Sequence, residues 1–150
     1  KIIAACGGSV AGKTIAVLGV TFKPNTNDLR GAASLTIIPQ LQAKGARISA
    51  FDPAGRTEAQ SILEEVNWYD GAYEAMRGAD ALVIVTEWNE FRALDFDQVR
   101  RILHAPVVID LRNIYNPEEM AANGFYYTSI GRSSVVPKPS SRKSSKRARG

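Results

Sequence analysis

The sequence predicts a doubly wound α/β domain with a mostly parallel sheet, followed by a disordered basic tail. Three observations carry that reading. Between residues 14 and 128, short runs rich in β-branched residues alternate with amphipathic stretches, the pattern of strands joined by helical crossovers. Those runs are apolar at successive positions rather than at every second one, so each strand is covered on both faces. Charge divides the chain: seven of its 19 Lys and Arg residues lie between Arg132 and Gly150, where there is no acid. Residues 1–131 therefore hold 12 basic against 15 acidic residues, a net of −3, although the whole chain carries +4. The globular part is mildly acidic, and the overall basicity does not point to a nucleic-acid-binding fold.

Residues 1–13 read as a linker from a part of the protein lying upstream. Their apolar stretch is too short for a signal peptide, and no run in the chain approaches the roughly 18–20 apolar residues of a membrane span. Cys6 is the single cysteine, which excludes an internal disulfide and suits a reducing, cytoplasmic setting. Thr14–Val20 reads as the first buried strand. A loop runs through Arg30, and a helix opens near Ser34 as N-cap, with Leu35, Ile38 and Leu41 at helical spacing and Gly45 as its stop. Pro39 inside that helix removes one backbone bond and predicts a kink or a split.

Arg47–Phe51 is a second strand, and Asp52-Pro53 a turn into a helix over roughly residues 57–65. Val66–Tyr69 reads as a short edge strand and Ala72–Arg77 as a helix ended by Gly78. Ala81–Val85 and Val107–Leu111 are strong buried strands flanking a helix over Asp95–Leu103. Pro117–Ala122 is a last helix ended by Gly124, before a terminal strand near Phe125–Ser129. The domain spans 14–131. From 132 to 150 the chain is mainly Ser, Pro, Lys and Arg, and such a segment buries too little surface to offset its ordering entropy.

In open α/β sheets ligands bind beyond the carboxyl ends of the strands. That rule selects the loop from Thr21 to Arg30, then Asp52, then Thr86-Glu87-Trp88, and finally Asp110-Leu111-Arg112-Asn113. Cationic, aromatic and amide groups converge there, and arginine suits a phosphate-bearing ligand because it can offer two parallel hydrogen bonds. The fold is Rossmann-like, but a glycine-rich dinucleotide fingerprint is missing: after Gly19 come Phe22, Lys23 and Pro24 where glycines would admit a pyrophosphate. The acidic pair and the third-strand aspartate of a phosphorylated receiver domain are also lacking.

The run Gly19-Val20-Thr21-Phe22-Lys23-Pro24-Asn25-Thr26-Asn27-Asp28-Leu29-Arg30, with Ser34-Leu35 and Ile38-Pro39, resembles the opening of the C-terminal domain of the UDP-glucose dehydrogenases. The resemblance continues through Ala50–Pro53, Gly78–Trp88, Phe91 and Asp110–Tyr115, covering about residues 6–131. GDP-mannose and UDP-acetylhexosamine dehydrogenases share the architecture; the Phe22–Thr26 and Thr86–Trp88 runs favour the glucose enzyme.

The resemblance implies an NAD-dependent oxidoreductase that takes C6 of UDP-glucose from alcohol to acid. Its N-terminal domain would bind NAD, a central helix would make a homodimer contact, and this domain would close over the UDP-sugar. Carried onto this chain, Phe22, Lys23 and Arg112 would contact the sugar nucleotide, and Arg30 would reach across the cleft to NAD. No catalytic residue is carried over: Cys6 is followed by Gly7-Gly8-Ser9, unlike the family's catalytic thiol, so the isolated chain is expected to be inactive.

Plainer readings stand beside these. Lys23 is otherwise a solvated lysine, Arg30 a partner for Asp28, and Asp110 a group that orients Arg112. Asp52-Pro53 is otherwise a turn device, Glu87 and Trp88 packing residues, and Cys6 an inert thiol on a linker strand. His104 has no metal-ligand partner, and no metal is expected. Two other function classes also remain: a stand-alone nucleotide-binding module, and a polyanion-binding protein acting through the tail, whose affinity would fall steeply with salt. Membrane attachment is not expected.

Overall fold

The computed structural model describes residues 2–137. Six strands form one sheet: β1 (Thr14–Leu18), β2 (Arg47–Phe51), β3 (Val66–Trp68), β4 (Ala81–Ile84), β5 (Val107–Asp110) and β6 (Tyr126–Ser129). Their order is β3-β2-β1-β4-β5-β6, and every neighbouring pair is parallel. The helices are α1 (Ile2–Ala5), α2 (Ser34–Ala43), α3 (Arg56–Gln60), α4 (Ala72–Met76), α5 (Asn89–Arg92), α6 (Phe96–Ile102) and α7 (Pro117–Ala122). No described helix is long and apolar enough to cross a membrane.

The continuous apolar runs feed two cores because successive side chains of a strand point to opposite faces. Ile15 and Val17 of β1, Val83 of β4 and Ile109 of β5 join Ile38 and Leu41 of α2 on one face. Ala16, Leu18, Leu82, Ile84 and Val108 face the other way, onto Met76 of α4, Val99 of α6 and Met120 of α7. Each fully buried Val, Leu or Ile is worth roughly 1.5–3 kcal/mol relative to exposure, so a polar residue at any of these strand positions would cost one core or the other.

Several expectations shift. Residues 2–13 do not form a linker strand: α1 lays Ile2 and Ile3 against the first core, Cys6 and Val10 are buried, and the Lys13 ammonium donates to the Cys6 carbonyl at 2.6 Å. Ser34 is not the N-cap of α2. Ala33 takes that place, and the Ser34 hydroxyl donates to the Val20 carbonyl at 2.6 Å, tying the helix to the loop after β1. Pro39 does not split α2, which runs unbroken with buried Ile38 and Leu41 holding its backbone against the sheet. The helix after Pro53 is short, ending at Gln60, while a helical turn at α5 was not expected.

Fixed structure also extends past the boundary expected at Gly131. Val135 forms an antiparallel bridge to Tyr127, with both backbone hydrogen bonds at 2.9 Å, and so covers the outer edge of β6. The remaining basic stretch, 138–150, lies outside the described residues.

Candidate functional site at the carboxyl edge of the sheet

The strand order reverses between β1 and β4, and the carboxyl edge at such a switch point is where α/β sheets take ligands, in the crevice above it. Gly19 begins the first loop with φ +87°, and a Cβ on it would lie 2.6 Å from the Thr86 Cβ and 2.8 Å from the Thr86 nitrogen. Its missing side chain lets the loop after β1 touch the loop after β4. The Thr86 hydroxyl then donates to the Thr21 carbonyl at 2.6 Å.

Asp52, buried at the end of β2, fixes the same loop. Its Oδ2 accepts from the backbone nitrogens of Val20 at 2.7 Å and Thr21 at 3.3 Å, and its Oδ1 from those of Ala54 at 2.8 Å and Gly55 at 2.6 Å. The turn-device reading of Asp52 thus describes its contacts. One consequence bears on cofactors. The amides that would cradle a pyrophosphate in a dinucleotide site are committed here: Val20 and Thr21 to Asp52, Phe22 to the Asp28 carbonyl at 2.9 Å. The residues after β1 do not fit a dinucleotide pyrophosphate. Burial, and the nearby Asp52 charge second, push the Glu90 carboxyl up.

The second anchor is Asp110, fully buried at the end of β5. Its Oδ1 accepts from the Arg112 nitrogen at 3.0 Å. Its Oδ2 accepts from the nitrogens of Ile114 at 2.7 Å and Tyr115 at 3.0 Å and from the Tyr127 hydroxyl at 2.7 Å. Asp110 orients Arg112 through the backbone of its turn. The Arg112 guanidinium donates from Nε to the Val85 carbonyl at 2.7 Å and from Nη2 to the Phe22 carbonyl at 2.9 Å. It therefore spans the crevice from the β5 side to the β1 side.

Glu87 Oε1 stands 3.7 Å from Arg112 Nε, an ion pair too long for a hydrogen bond. Among the described residues, Glu87 Oε1 and Trp88 Nε1 are the buried side-chain polar atoms without a hydrogen-bond partner, and both belong to this edge.

Of the sequence-predicted residues, the structure joins Phe22 to Arg112, with the Phe22 ring half exposed at 49%. Lys23 is exposed beside them, and its charge reaches Asp28. Arg30 stands apart. Its side chain is 92% exposed and forks onto Asp28, with Nε 3.1 Å from Oδ1 and Nη2 2.9 Å from Oδ2. It borders a cleft of about 570 Å³ with Leu35, Glu58 and Ile62. Asp28 is held at about 2, below its ordinary 3.8, by the Arg30 side-chain hydrogen bond first and a backbone bond second. Cys6 is no activated thiol: burial pushes its pKa up.

Residues 16–117 match the model of the UDP binding domain of the UDP-glucose/GDP-mannose dehydrogenase family. The chain belongs to that family. The match includes Phe22, Lys23, Arg30 and Arg112. A UDP-glucose 6-dehydrogenase of Rhizobium meliloti (strain 1021) is 51% identical over 132 residues, 88% of this chain and 30% of its own. One of Bacillus subtilis (strain 168) is 50% identical over 129 residues, 85% of this chain and 28% of its own. Among solved structures, an NDP-N-acetyl-D-galactosaminuronic acid dehydrogenase of Methanosarcina mazei Go1 superposes with a TM-score of 0.74 at 28% identity, over 87% of this chain and 28% of its own. This domain of the family thus spans less than a third of each of these relatives.

Proposed function

We propose that this chain is the UDP-sugar-binding portion of an NAD-dependent UDP-glucose 6-dehydrogenase, which oxidises UDP-glucose to UDP-glucuronate. The observation that carries the reading is the placement of Arg112 across the switch-point crevice, beside Phe22 and Lys23, in a chain half identical to UDP-glucose 6-dehydrogenases. Arg112 supplies a fixed guanidinium for the diphosphate and Lys23 a mobile second charge. The half-exposed Phe22 ring offers an apolar wall to the sugar nucleotide. Glu87 Oε1 and Trp88 Nε1 offer an acceptor and a donor that a polar ligand would satisfy.

In the reaction the chain's part is to bind and orient. NAD supplies the hydride acceptor, and it is held by the N-terminal domain of the same enzyme, since the amides after β1 are already bonded. Arg30 is its contact from this side, released from Asp28 when the cleft closes. The catalytic thiol also lies outside this chain, so purified chain alone produces no NADH. The working enzyme is a homodimer or larger homo-oligomer in the cytoplasm.

Titration calorimetry on the chain checks the substrate. UDP-glucose should bind, GDP-mannose and UDP-N-acetylmannosamine more weakly, and NAD without measurable heat. Tighter binding of GDP-mannose would move the assignment to a sister enzyme, and steady NADH production would overturn the division of labour. In the full-length enzyme, Arg112→Ala and Lys23→Ala should raise KM for UDP-glucose more than for NAD, each by about 1.5–3 kcal/mol of lost charge-assisted bonding. Arg30→Ala should do the reverse.

A further inference from the structure

We propose that Tyr127 and Arg132 are positioning residues for Arg112, acting through the buried carboxylate of Asp110. The proposal deepens the UDP-sugar reading and rests on it for the role of Arg112. Tyr127 and Arg132 both lie beyond residues 16–117, the stretch that matches the family model.

The connections run as a chain of polar contacts. Arg132 donates from Nη2 to the Tyr127 hydroxyl oxygen at 3.0 Å and from Nε to the Ser129 hydroxyl at 2.8 Å. Its guanidinium also lies over the Tyr127 ring, 5.9 Å from the centroid. A hydroxyl that accepts from a cation becomes a stronger donor, and Tyr127 donates onward to Asp110 Oδ2 at 2.7 Å. The carboxylate in turn gathers the backbone nitrogens of Arg112, Ile114 and Tyr115. The positive charge of Arg132 is therefore one hydroxyl away from a fully buried anion that, among the described residues, no ion pair neutralises directly, and a buried carboxylate is costly without such compensation.

A second tie fixes the same turn. Asn113 sits at φ 57°, a left-handed conformation that asparagine tolerates, and exchanges two 3.0 Å bonds with the backbone of Ile130. The turn from Asp110 to Tyr115 is thus bound twice to the segment from Tyr127 to Arg132. Because Arg112 must reach two separate carbonyls at 2.7 and 2.9 Å, a small rotation of the turn would break its span of the crevice.

A purely structural role would lower stability without singling out Arg112, so the test reads Arg112 itself. In the 150-residue chain, ¹⁵N NMR follows hydrogen exchange at Arg112 Nε–H, and calorimetry follows UDP-glucose affinity. Tyr127→Phe and Arg132→Met should each speed that exchange and weaken binding about tenfold, the scale of one lost hydrogen bond to a charged group. Arg132→Lys, which keeps the charge, should recover part of both. Val99→Ala, which loosens the same core without removing any member of this hydrogen-bond network, should move neither by as much. Wild-type exchange at Arg112 in folded Tyr127→Phe, or an equal effect from Val99→Ala, overturns the proposal. If Arg132→Met fails to fold, Tyr127→Phe and Arg132→Lys decide by the same readouts. If the wild-type chain does not bind UDP-glucose, the substrate reading falls, while exchange at Arg112 still decides whether Tyr127 positions it.

Discussion

Two arginines sit at the carboxyl edge of this sheet, and their supports could hardly differ more. Arg112 grows from a turn whose backbone is tied to a fully buried carboxylate, and its guanidinium is held by two carbonyls from other loops. Arg30 ends a loop that pairs with itself: its partner Asp28 is two residues away, and the Arg30 side chain is almost wholly in water. A charge that must meet a ligand in a preset place is held from below, by buried groups remote in sequence. A charge that must adapt, or be exchanged between partners, is held by a neighbour in water, where an ion pair is weak and easily traded. The proposed division between substrate and cofactor follows that contrast.

The contrast is sharpest at Asp110. Replacing it by alanine strands the nitrogens of Arg112, Ile114 and Tyr115 and leaves the Tyr127 hydroxyl only the Tyr115 carbonyl, at 3.2 Å, to donate to. Several unsatisfied buried groups together should cost about 4 kcal/mol, read by urea unfolding of the chain. Asp110→Asn should recover part of it, because one amide oxygen can still accept. A loss below about 1 kcal/mol for the alanine variant would mean that packing, not the carboxylate, holds the turn.

The comparison also explains what could be read from the sequence. The strands, their order of appearance and the parallel sheet were legible because both-face burial writes itself as continuous apolar runs in Ile15–Leu18, Ala81–Ile84 and Val107–Ile109. The loop residues Phe22, Lys23 and Arg112 were legible as candidates because the carboxyl ends of strands are a small target. Ser34 was misread because a serine before an apolar run looks like a cap, while its actual partner, the Val20 carbonyl, is fourteen residues back. Asp110 was legible as a group that orients Arg112, but what lies behind Asp110 was hidden for the same reason as the Ser34 contact. Tyr127 falls within the terminal strand expected near Phe125–Ser129 and Arg132 at the start of the expected tail, and nothing local announces a bond from a tyrosine to an aspartate seventeen residues earlier.

The root of the exposed loop should behave like the buried turn rather than like its own tip. Gly19→Ala forces a Cβ into Thr86 and keeps an L residue at φ +87°. Because the clash is with backbone as well as side chain, relief requires the loops after β1 and β4 to separate. The expected loss is about 2–4 kcal/mol, and thermal unfolding measures it. A variant as stable as wild type would show that the two loops can part freely, which would remove the fixed frame on which Arg112 reaches Phe22.

The smallest effect belongs to Arg30 and Asp28, and it tests the adaptable side of the contrast. Asp28 is held at about 2 rather than 3.8, chiefly by the Arg30 side-chain hydrogen bond. A carboxyl depressed on folding contributes stability above its unfolded pKa and loses it as pH falls through the folded value, so the contribution disappears between about pH 3.8 and pH 2. The Arg30 end of the pair stands in water, which screens it, and little stability should follow from the pair at neutral pH. Arg30→Ala should therefore raise the Asp28 titration, followed by carboxyl ¹³C NMR, toward the ordinary range, with the backbone bond from residue 30 retained, while leaving the thermal midpoint at pH 7 where it was. Were the Asp28 titration to stay low without Arg30, the backbone bonds of the loop and the nearby Lys23 charge would have to hold the carboxylate. The loop would then be rigid in its own right, and Arg30 could not be freed merely by giving up its partner. A clear fall in the midpoint would point the same way, placing Arg30 among the groups that build the edge rather than those that reach from it.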